Sequence, residues 1–274
     1  MVLHLLHTPA LDGATNMAVD EALLGRARRT GEIVVRAYTW TCPTLSLGRH
    51  QTARGSYDAE RAAAHGIDVV RRPTGGRAVL HARELTYSVT APTDALAAAS
   101  ARPAVAYARI NAMLADALRG LGVAVTGAAM GTRPRRPDGT PCFASPAAGE
   151  LVATSDAQGE IDGRKLVGSA QWREGGALLQ HGSILIDDDQ GLLACCARVP
   201  LPPFTRPATL RSLLRRAPAA HEVAAAVFDA AGRLAAALGV PIVSKRATLD
   251  DLALRDEVAR LLPRYTDPTW TWRR

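Results

Sequence analysis

The amino-acid sequence predicts an α/β (α+β) fold, in which a mixed and largely antiparallel central sheet is flanked by helices. The first observation is the alternation of helical and strand patterns between the N-terminus and Arg71. The second is a pair of hairpin patterns, which favour antiparallel neighbours. One joins Glu150–Ala153 to Ile161–Gly168, and the other joins the strands on the two sides of the Glu174–Gly176 turn. The third is an apolar content of 47%, which is ample for a core. Because aromatic residues make up only 4%, we expect this core to consist mainly of Ala, Leu and Val.

The N-terminal elements begin with a helix over residues 17–29. Asn16 is expected to cap this helix, and Asp20 and Glu21 lie near its positive end. The elements predicted next are, in order, the strands Ile33–Trp40 and Thr44–Gly48, the short helix Asp58–His65 and the strand Ile67–Arg71.

A long helix over residues 103–122 and a surface loop over residues 127–141 are predicted in the middle of the chain. The helix ends near Gly120 and Gly122, and the loop is rich in Gly, Pro and Arg. The loop leads to Cys142, which is expected to enter a strand with the exposure that a nucleophile needs.

The chain changes character after Asp189. Prolines at 200, 202, 203 and 207 interrupt a short linker, and His221–Leu238 reads as an alanine-rich helix. We therefore predict a main domain over residues 1–189 and a C-terminal helical extension over residues 190–274 that packs on it.

Charge and cysteine content limit the classes of function. The net charge of +7 and the pI of about 9.7 favour an acidic partner, but no nucleic-acid recognition motif accompanies the charge. The four cysteines have neither metal-ligand spacing nor a disulfide pattern. No apolar run is long enough to span a membrane, and the N-terminus lacks the basic region of a signal peptide. We expect a cytoplasmic protein that binds neither a membrane nor nucleic acid.

Lys165 is unusual in this composition. The chain has 33 basic residues, of which only Lys165 and Lys245 are lysines. Arginine stays protonated and forked, whereas lysine is a compact charge whose pKa can be shifted. The alternative to a catalytic role is a lysine exposed to solvent in a hairpin. The motif around Lys165, from Cys142 to His181, favours the catalytic role.

The stretch from Arg71 to Ala91 contains a second set of candidate residues. Gly75 and Gly76 form a tight loop whose backbone can approach a ligand closely. Arg72 and Arg77 flank the loop and could hold a carboxylate, a phosphate or an adenylate. The pattern is neither a Walker loop nor a dinucleotide fingerprint. His81 lies in the following strand and could face either the core or the site.

Three motifs coincide in this chain: NMAVDEA from Asn16, RRPTGGRAVLH from Arg71, and the stretch from Lys165 to Ser183. Together they resemble the superfamily of lipoyl and octanoyl attachment enzymes, which also contains lipoate-protein ligases and biotin protein ligases. The phrases GGRAVLH, Cys-Phe-x-x-Pro, GSAQ and QHGSIL look like its cysteine-dependent octanoyltransferases. Lipoate ligases typically have a third glycine where this chain has Arg77, and they do not depend on a nucleophilic cysteine.

The resemblance implies a biotin/lipoate-protein ligase-like catalytic domain and a two-step acyl transfer. Cys142 would take an octanoyl group from octanoyl-acyl carrier protein, and Lys165 would assist. A lysine of a lipoyl-domain protein, such as the glycine-cleavage H protein or a dehydrogenase E2, would then accept the group. The residues assigned to substrate binding are Arg72, Gly75, Gly76, Arg77, His81, Gly168, Ser169, Ala170, His181 and Gly182.

The chemistry agrees with that assignment. A free thiol has a pKa of about 8.5, so little of it is ionised at neutral pH. A neighbouring ammonium favours the thiolate and stabilises charge on a tetrahedral intermediate. A thioester is already activated, so no cofactor is expected.

Cys142 and Lys165 stand 23 residues apart, more than the family leads us to expect, and the surplus near Ala153–Glu160 has the composition of a lengthened loop.

Three alternatives stay open at this point. An ATP-dependent lipoate-protein ligase would use Lys165 against an acyl-adenylate, require ATP and magnesium, and leave Cys142 incidental. An amidotransferase between carrier proteins could use the same two residues. A non-catalytic lipoyl or nucleotide binding module would bind ligand without acylating anything. We expect a monomer.

Overall fold

The computed structural model of the chain describes residues 1–97, 103–129, 142–155, 163–201 and 205–273. The strands within these ranges are β1 (Leu3–His7), β2 (Ile33–Tyr38), β3 (Thr44–Leu47), β4 (Asp68–Arg71), β5 (Val79–His81), β6 (Glu84–Pro92), β7 (Val125–Gly127), β8 (Leu151–Ala153), β9 (Val167–Glu174), β10 (Ala177–Leu185) and β11 (Ile242–Ala247). The helices are α1 (Gly13–Thr30), α2 (Ala59–Ala64), α3 (Thr93–Ala97), α4 (Pro103–Gly120), α5 (Leu193–Cys196), α6 (Leu210–Leu214), α7 (Ala220–Ala237), α8 (Arg255–Thr266) and α9 (Pro268–Thr271). None of these helices is both long enough and apolar enough to cross a membrane.

A six-stranded mixed sheet in the order β11-β1-β2-β6-β10-β9 forms the centre of the molecule. β1 runs parallel to both β11 and β2, whereas the pairs β2–β6, β6–β10 and β10–β9 are antiparallel. This confirms the predicted fold class of a mixed, largely antiparallel sheet flanked by helices.

Alternating side chains divide the core between the two faces of this sheet. Leu5 and Val35 pack in the apolar cluster that contains α4 and α7, whereas their neighbours Leu6 and Val34 pack in the cluster that contains α1 and α8. Successive residues of a strand point to opposite faces, so both faces of β1 and β2 carry apolar residues. The sheet is therefore covered by helices on both sides.

A smaller sheet in the order β4-β3-β5 lies beside the large one and carries the glycine loop. β3 pairs in parallel with β4 and antiparallel with β5. Gly75 and Gly76 lie in the connection from β4 to β5. Because both of these strands pair with β3, the sheet fixes both ends of the loop.

The cap of α1 differs from the prediction. The helix begins at Gly13 and its N-cap is Asp12, whose carboxylate accepts from the backbone N–H of Thr15. Asn16 is buried inside the helix, and its side-chain amide donates to the carbonyls of Leu11 and Thr39. The predicted cap residue instead ties the helix to the chain segments on either side of it.

The predicted hairpin around Lys165 is present as a short antiparallel pairing. Val152 bridges to Lys165, and backbone hydrogen bonds join Leu151 to Leu166 and Ala153 to Arg164. The chain then continues as β9, which turns at Gly175 and Gly176 into β10, as predicted.

Several predicted features lie wholly or partly outside the described residues. These are most of the loop over 127–141, the part of the lengthened loop over 156–160, residues 161 and 162 of the hairpin, and Pro202 and Pro203.

The C-terminal segment contributes to the large sheet. β11 pairs with β1, α7 packs with α4, and α8 packs along α1. The predicted boundary between residues 189 and 190 stays a prediction, and the segment beyond it includes a strand as well as helices.

Candidate active site

A cavity of about 620 Å³ is lined by α1, by both sheets and by the chain around Cys142. Part of its wall is formed by Met17, Tyr38 and Trp40, which are buried, and another part by the segment 144–147, which is partly exposed. The predicted site residues that line it are Arg72, Gly76, Arg77, His81, Cys142, Lys165, Gly168, Ser169, Ala170, His181 and Gly182. Gly75 is not part of the lining, and its carbonyl accepts from Arg72.

Cys142 begins one turn of 3-10 helix, Cys142–Ala144. The expectation that it enters a strand is therefore wrong. Its backbone N–H donates to the carbonyl of Ala78 at 2.9 Å, so the turn is fastened to the segment that leads into β5. The thiol is partly exposed at the cavity, as a nucleophile requires.

Lys165 lies directly before β9 and is 2% exposed, which excludes a solvated surface lysine. Its Nζ is 3.3 Å from Cys142 Sγ and donates to the Cys142 carbonyl at 3.0 Å. The sequence predicted that the thiol and the amine would meet through neighbouring strands. The structure brings them together through the Cys142 turn and the segment that pairs with β8.

Glu150 completes this group, and our sequence reasoning missed it. Its Oε2 lies 2.7 Å from Lys165 Nζ and also accepts from the backbone N–H of Ala147 at 2.7 Å. Its Oε1 accepts from the backbone N–H of Ser169 at 3.3 Å. The available signal was an acidic residue at the start of the apolar strand β8, within the stretch already singled out.

Two glycines permit the close packing around Lys165. A Cβ added at Gly168 would lie 3.2 Å from both Lys165 Cε and Phe143 Cζ. A Cβ added at Gly182 would lie 2.0 Å from the carbonyl oxygen of Gly168, which is too close for any side chain. The glycines thus shape the wall beside Lys165.

Arg77 fastens the other side of the Cys142 turn. Its Nη2 donates to the carbonyls of Cys142 and Ser145, at 3.2 and 3.0 Å, and to Ser145 Oγ at 3.2 Å. An arginine side chain therefore occupies the position where lipoate ligases typically have a glycine. The predicted part of Arg77 in ligand binding stays a prediction.

Arg72 lies beneath the glycine loop with all five N–H groups directed at neutral oxygens. It donates to the carbonyls of Ser46, Gly75 and Arg77 and to Ser46 Oγ. Burial lowers the pKa of Arg72 to about 10, so it is charged at neutral pH. A Cβ at Gly76, whose φ is +100°, would approach Arg72 Nη2 to 2.8 Å. The loop is therefore wrapped around this guanidinium, and direct ligand binding by Arg72 stays a prediction.

His81 belongs to a buried polar group in the cavity wall. Its Nδ1 donates to Glu84 Oε1 at 2.7 Å, and its Nε2 lies 2.7 Å from Ser46 Oγ. The imidazole stacks on the indole of Trp40 with ring centroids 4.2 Å apart. These contacts fix the ring as part of the cavity wall.

His181 connects the glycine loop to a buried ion pair. Its Nδ1 donates to Asp20 Oδ2 at 2.8 Å, and Thr74 Oγ1 donates to its Nε2 at 2.7 Å. Burial lowers the pKa of His181, so the ring is neutral. Burial alone would raise the pKa of Asp20, but the Arg36 guanidinium and His181 outweigh it and hold that pKa below its usual value.

The site combines a partly exposed thiol, a buried ammonium in contact with it, and a cavity whose wall contains both apolar and polar side chains. An ammonium beside a thiol stabilises the thiolate and the negative oxygen of a tetrahedral intermediate. Such a group can perform acyl transfer through a thioester. In the part of the chain that the structure describes, no three His, Cys, Asp or Glu side chains are grouped to hold a metal ion.

Comparisons with known proteins identify the family of the chain. The family model described as the lipoyl protein ligase A/B catalytic domain matches residues 12–231. A protein of Kyrpidia tusciae named Octanoyltransferase LipM is 36% identical over 283 residues, which cover 98% of each chain. A protein of the same name from Moorella thermoacetica is 44% identical over 187 residues, covering 66% of this chain and 64% of its own.

Solved structures show the same fold. Lipoate-protein ligase A bound with ATP superposes with a TM-score of 0.76 at 20% identity and 99% coverage of both chains. A bipartite lipoate protein ligase from Thermoplasma acidophilum, from a study that includes its E2 lipoyl domain, gives a TM-score of 0.71 at 21% identity, covering 99% of this chain and 95% of its own.

Proposed function

The chain belongs to the lipoyl protein ligase A/B catalytic-domain family, and from this we propose that it is an octanoyltransferase of lipoate biosynthesis. It takes an octanoyl group from the thioester of acyl carrier protein and transfers it to the lysine of a lipoyl domain. The observation that carries the proposal is the 3.3 Å contact between Lys165 Nζ and Cys142 Sγ within the cavity. The relatives named octanoyltransferase support the same reaction.

In the first step the Cys142 sulfur attacks the carbonyl carbon of the donor thioester. The new carbon–sulfur bond forms, and the bond to the carrier sulfur breaks. The proton of the Cys142 thiol passes to the departing carrier thiolate. Lys165 stabilises the negative charge on sulfur before the attack and on the carbonyl oxygen during it.

In the second step the neutral amine of the acceptor lysine attacks the octanoyl-Cys142 thioester. A carbon–nitrogen bond forms and the carbon–sulfur bond breaks, which gives an amide and returns the thiolate. The amine proton ends on Cys142, so the enzyme is restored. The same Lys165 ammonium faces the charge that develops in both steps.

Arg77 favours this reaction over that of an ATP-dependent ligase. Its guanidinium lines the cavity and is fastened to Cys142 and Ser145, so its side chain fills space beside the glycine loop. A glycine at this position would leave that space open for a backbone approach to an adenylate. The transferase requires neither ATP nor magnesium, and we propose that it acts as a monomer without a cofactor.

The test compares two donors with one lipoyl-domain acceptor, for wild type and Cys142→Ser. Octanoyl-acyl carrier protein without ATP or magnesium is expected to modify the acceptor, whereas free octanoate or lipoate with ATP is not. Intact-mass measurement is expected to show one octanoyl adduct, removable by neutral hydroxylamine and absent from Cys142→Ser. Use of free acid with ATP that survives the serine substitution would decide for the ligase.

The other cysteines supply the control for this assignment. Cys196 is buried, and burial raises the pKa of its thiol to about 11. Replacing Cys42, Cys195 and Cys196 by alanine is expected to leave the adduct intact. An adduct that depends on Cys42 would contradict the role of Cys142.

A further inference from the structure

Glu150 links three parts of the site through one buried carboxylate. Its side chain is 4% exposed, and it contacts the Lys165 ammonium, the backbone of the segment that follows Cys142, and β9 through Ser169. The ammonium is thereby tied to both of the segments that meet at the cavity. These contacts join the carboxylate to Lys165, Ala147 and Ser169, so its contact with the thiol is indirect, through the Lys165 ammonium.

The Lys165 ammonium has three N–H donors and meets three acceptors. These are Glu150 Oε2 at 2.7 Å, the Cys142 carbonyl at 3.0 Å and Cys142 Sγ at 3.3 Å. With two donors held by oxygen atoms, the third is aimed at sulfur. Loss of the carboxylate would leave one donor unpaired and let the ammonium turn away from the thiol.

The carboxylate is also the counter-charge that this buried ammonium requires. The Lys165 side chain is 1% exposed, and its other two acceptors are a carbonyl and a thiol. Burying an ammonium without an ionised partner is strongly unfavourable. Glu150 therefore supplies the charge that offsets the buried Lys165 ammonium.

We propose that Glu150 is a positioning residue that offsets the charge of the Lys165 ammonium and holds it aimed at Cys142. The consequence for acyl transfer rests on the proposed function. The effect on the thiol itself does not, because it can be measured with a small alkylating reagent. The two parts can therefore fail separately.

The test is a double-mutant cycle of Glu150→Gln and Lys165→Met, read as the rate of iodoacetamide alkylation of the Cys142 peptide at neutral pH. In the native background, Glu150→Gln is expected to slow alkylation by about 10-fold, the factor for one lost charge-assisted hydrogen bond. In the Lys165→Met background, Glu150→Gln is expected to cause no slowing. The reason is that removing the Glu150 carboxylate when no ammonium is present can only favour the Cys142 thiolate. Equal slowing in both backgrounds, or none in the native one, would overturn the proposal.

Thermal stability supplies a second measurement. It is needed because Lys165→Met alone leaves the buried Glu150 carboxylate without its partner, and this variant can fail to fold. The double variant removes both charges and is expected to melt at a higher temperature than Lys165→Met. A double variant that melts no higher would show that the two side chains are not coupled, and would also overturn the proposal.

The matched control is Glu174→Gln, which removes a carboxylate from an exposed pair with Arg28. It is expected to leave Cys142 alkylation and acylation at the wild-type rates, whereas Glu150→Gln lowers the rate of acyl-enzyme formation from octanoyl-acyl carrier protein by about 10-fold. If wild type forms no acyl-enzyme, the proposed function fails, and the alkylation cycle still decides the role of Glu150.

Discussion

The Lys165 side chain runs past Gly168 and the Phe143 ring before its ammonium reaches Cys142. A guanidinium is planar and wider than an ammonium, and it cannot present one N–H to sulfur within the same space. Lys165→Arg is therefore expected to keep the positive charge and yet lower the rate of Cys142 acylation by about 100-fold, as a misplacement of about 1 Å does. Single-turnover acylation measures the effect.

Lys245→Arg provides the matched control, since it makes the same exchange at the chain's other lysine, on β11. Its acylation rate is expected to equal that of wild type. An undiminished rate in Lys165→Arg would mean that charge alone suffices at this position.

The neutral His181 ring makes stability depend on pH. Burial lowers the pKa of His181 in the folded state, so between that pKa and the ordinary value of 6.5 the unfolded chain binds more protons. The free energy of unfolding is therefore expected to fall as the pH drops below about 6.5, by up to about 1.4 kcal/mol per pH unit. Asp20 keeps its charge in this range because its own pKa is lowered.

Urea unfolding at a series of pH values tests this expectation. His181→Gln is expected to flatten the curve below about pH 6.5, whereas His65→Gln, at an exposed histidine, is the control and is expected to keep the wild-type curve. If His181→Gln followed the wild-type slope, His181 would not be the group responsible.

The residues of the site differ in how far the sequence could predict them. The proximity of Cys142 and Lys165 was predictable, because the motifs around them indicated a thiol and a cation in one site; their roles in acyl transfer stay predictions. Glu150 was not singled out, because burial of a carboxylate at the start of a strand depends on what packs over it. Asp20 and His181 lie 161 positions apart, and no local pattern indicates that they share a hydrogen bond.

At the scale of elements, the contact between β9 and β10 depends on Gly182. A Cβ at this position would lie 2.0 Å from the Gly168 carbonyl oxygen and 3.0 Å from Ser169 Cα, so β9 would have to shift. Gly182→Ala is expected to lower the free energy of unfolding by roughly 1–3 kcal/mol and to slow Cys142 acylation, because Gly168 also packs on Lys165.

Gly191→Ala is the matched control, since a Cβ there would meet nothing within 4 Å. Urea unfolding is expected to give the wild-type value for this variant. A Gly182→Ala protein with the stability and acylation rate of wild type would show that the two strands can separate without cost.

Elements were predicted best where periodicity and turns decide them. The strands before and after the Glu174–Gly176 turn follow from alternation and from the two glycines, and both are present. The start of α1 was misplaced because Asp12 and Asn16 are both good cap residues, and the choice depends on the contacts of Asn16 with Leu11 and Thr39. The pairing of β11 with β1 joins distant residues, which a local pattern does not reveal.

At the scale of the whole molecule, the net charge of +7 favours encounter with an acidic carrier protein. Acylation of Cys142 by octanoyl-acyl carrier protein at limiting concentration is expected to slow as salt is raised from about 0.02 to about 0.5 M, because screening weakens the long-range attraction. Alkylation by iodoacetamide, a neutral reagent, serves as the control and is expected to change little. Equal acylation rates at both salt concentrations would contradict electrostatic attraction of the carrier protein.

The parallel pairing of β1 with β11 has a consequence for the order in which the protein is made. β1 is synthesised before β11, and the paired residues Leu3 and Ile242 are far apart in the chain. Until Ile242–Ala247 emerge, the outer edge of β1 lacks its native partner, and the backbone groups that β11 later binds remain available to other chains. The nascent polypeptide therefore exposes this edge until β11 has been made, and the six-stranded sheet can be completed only then.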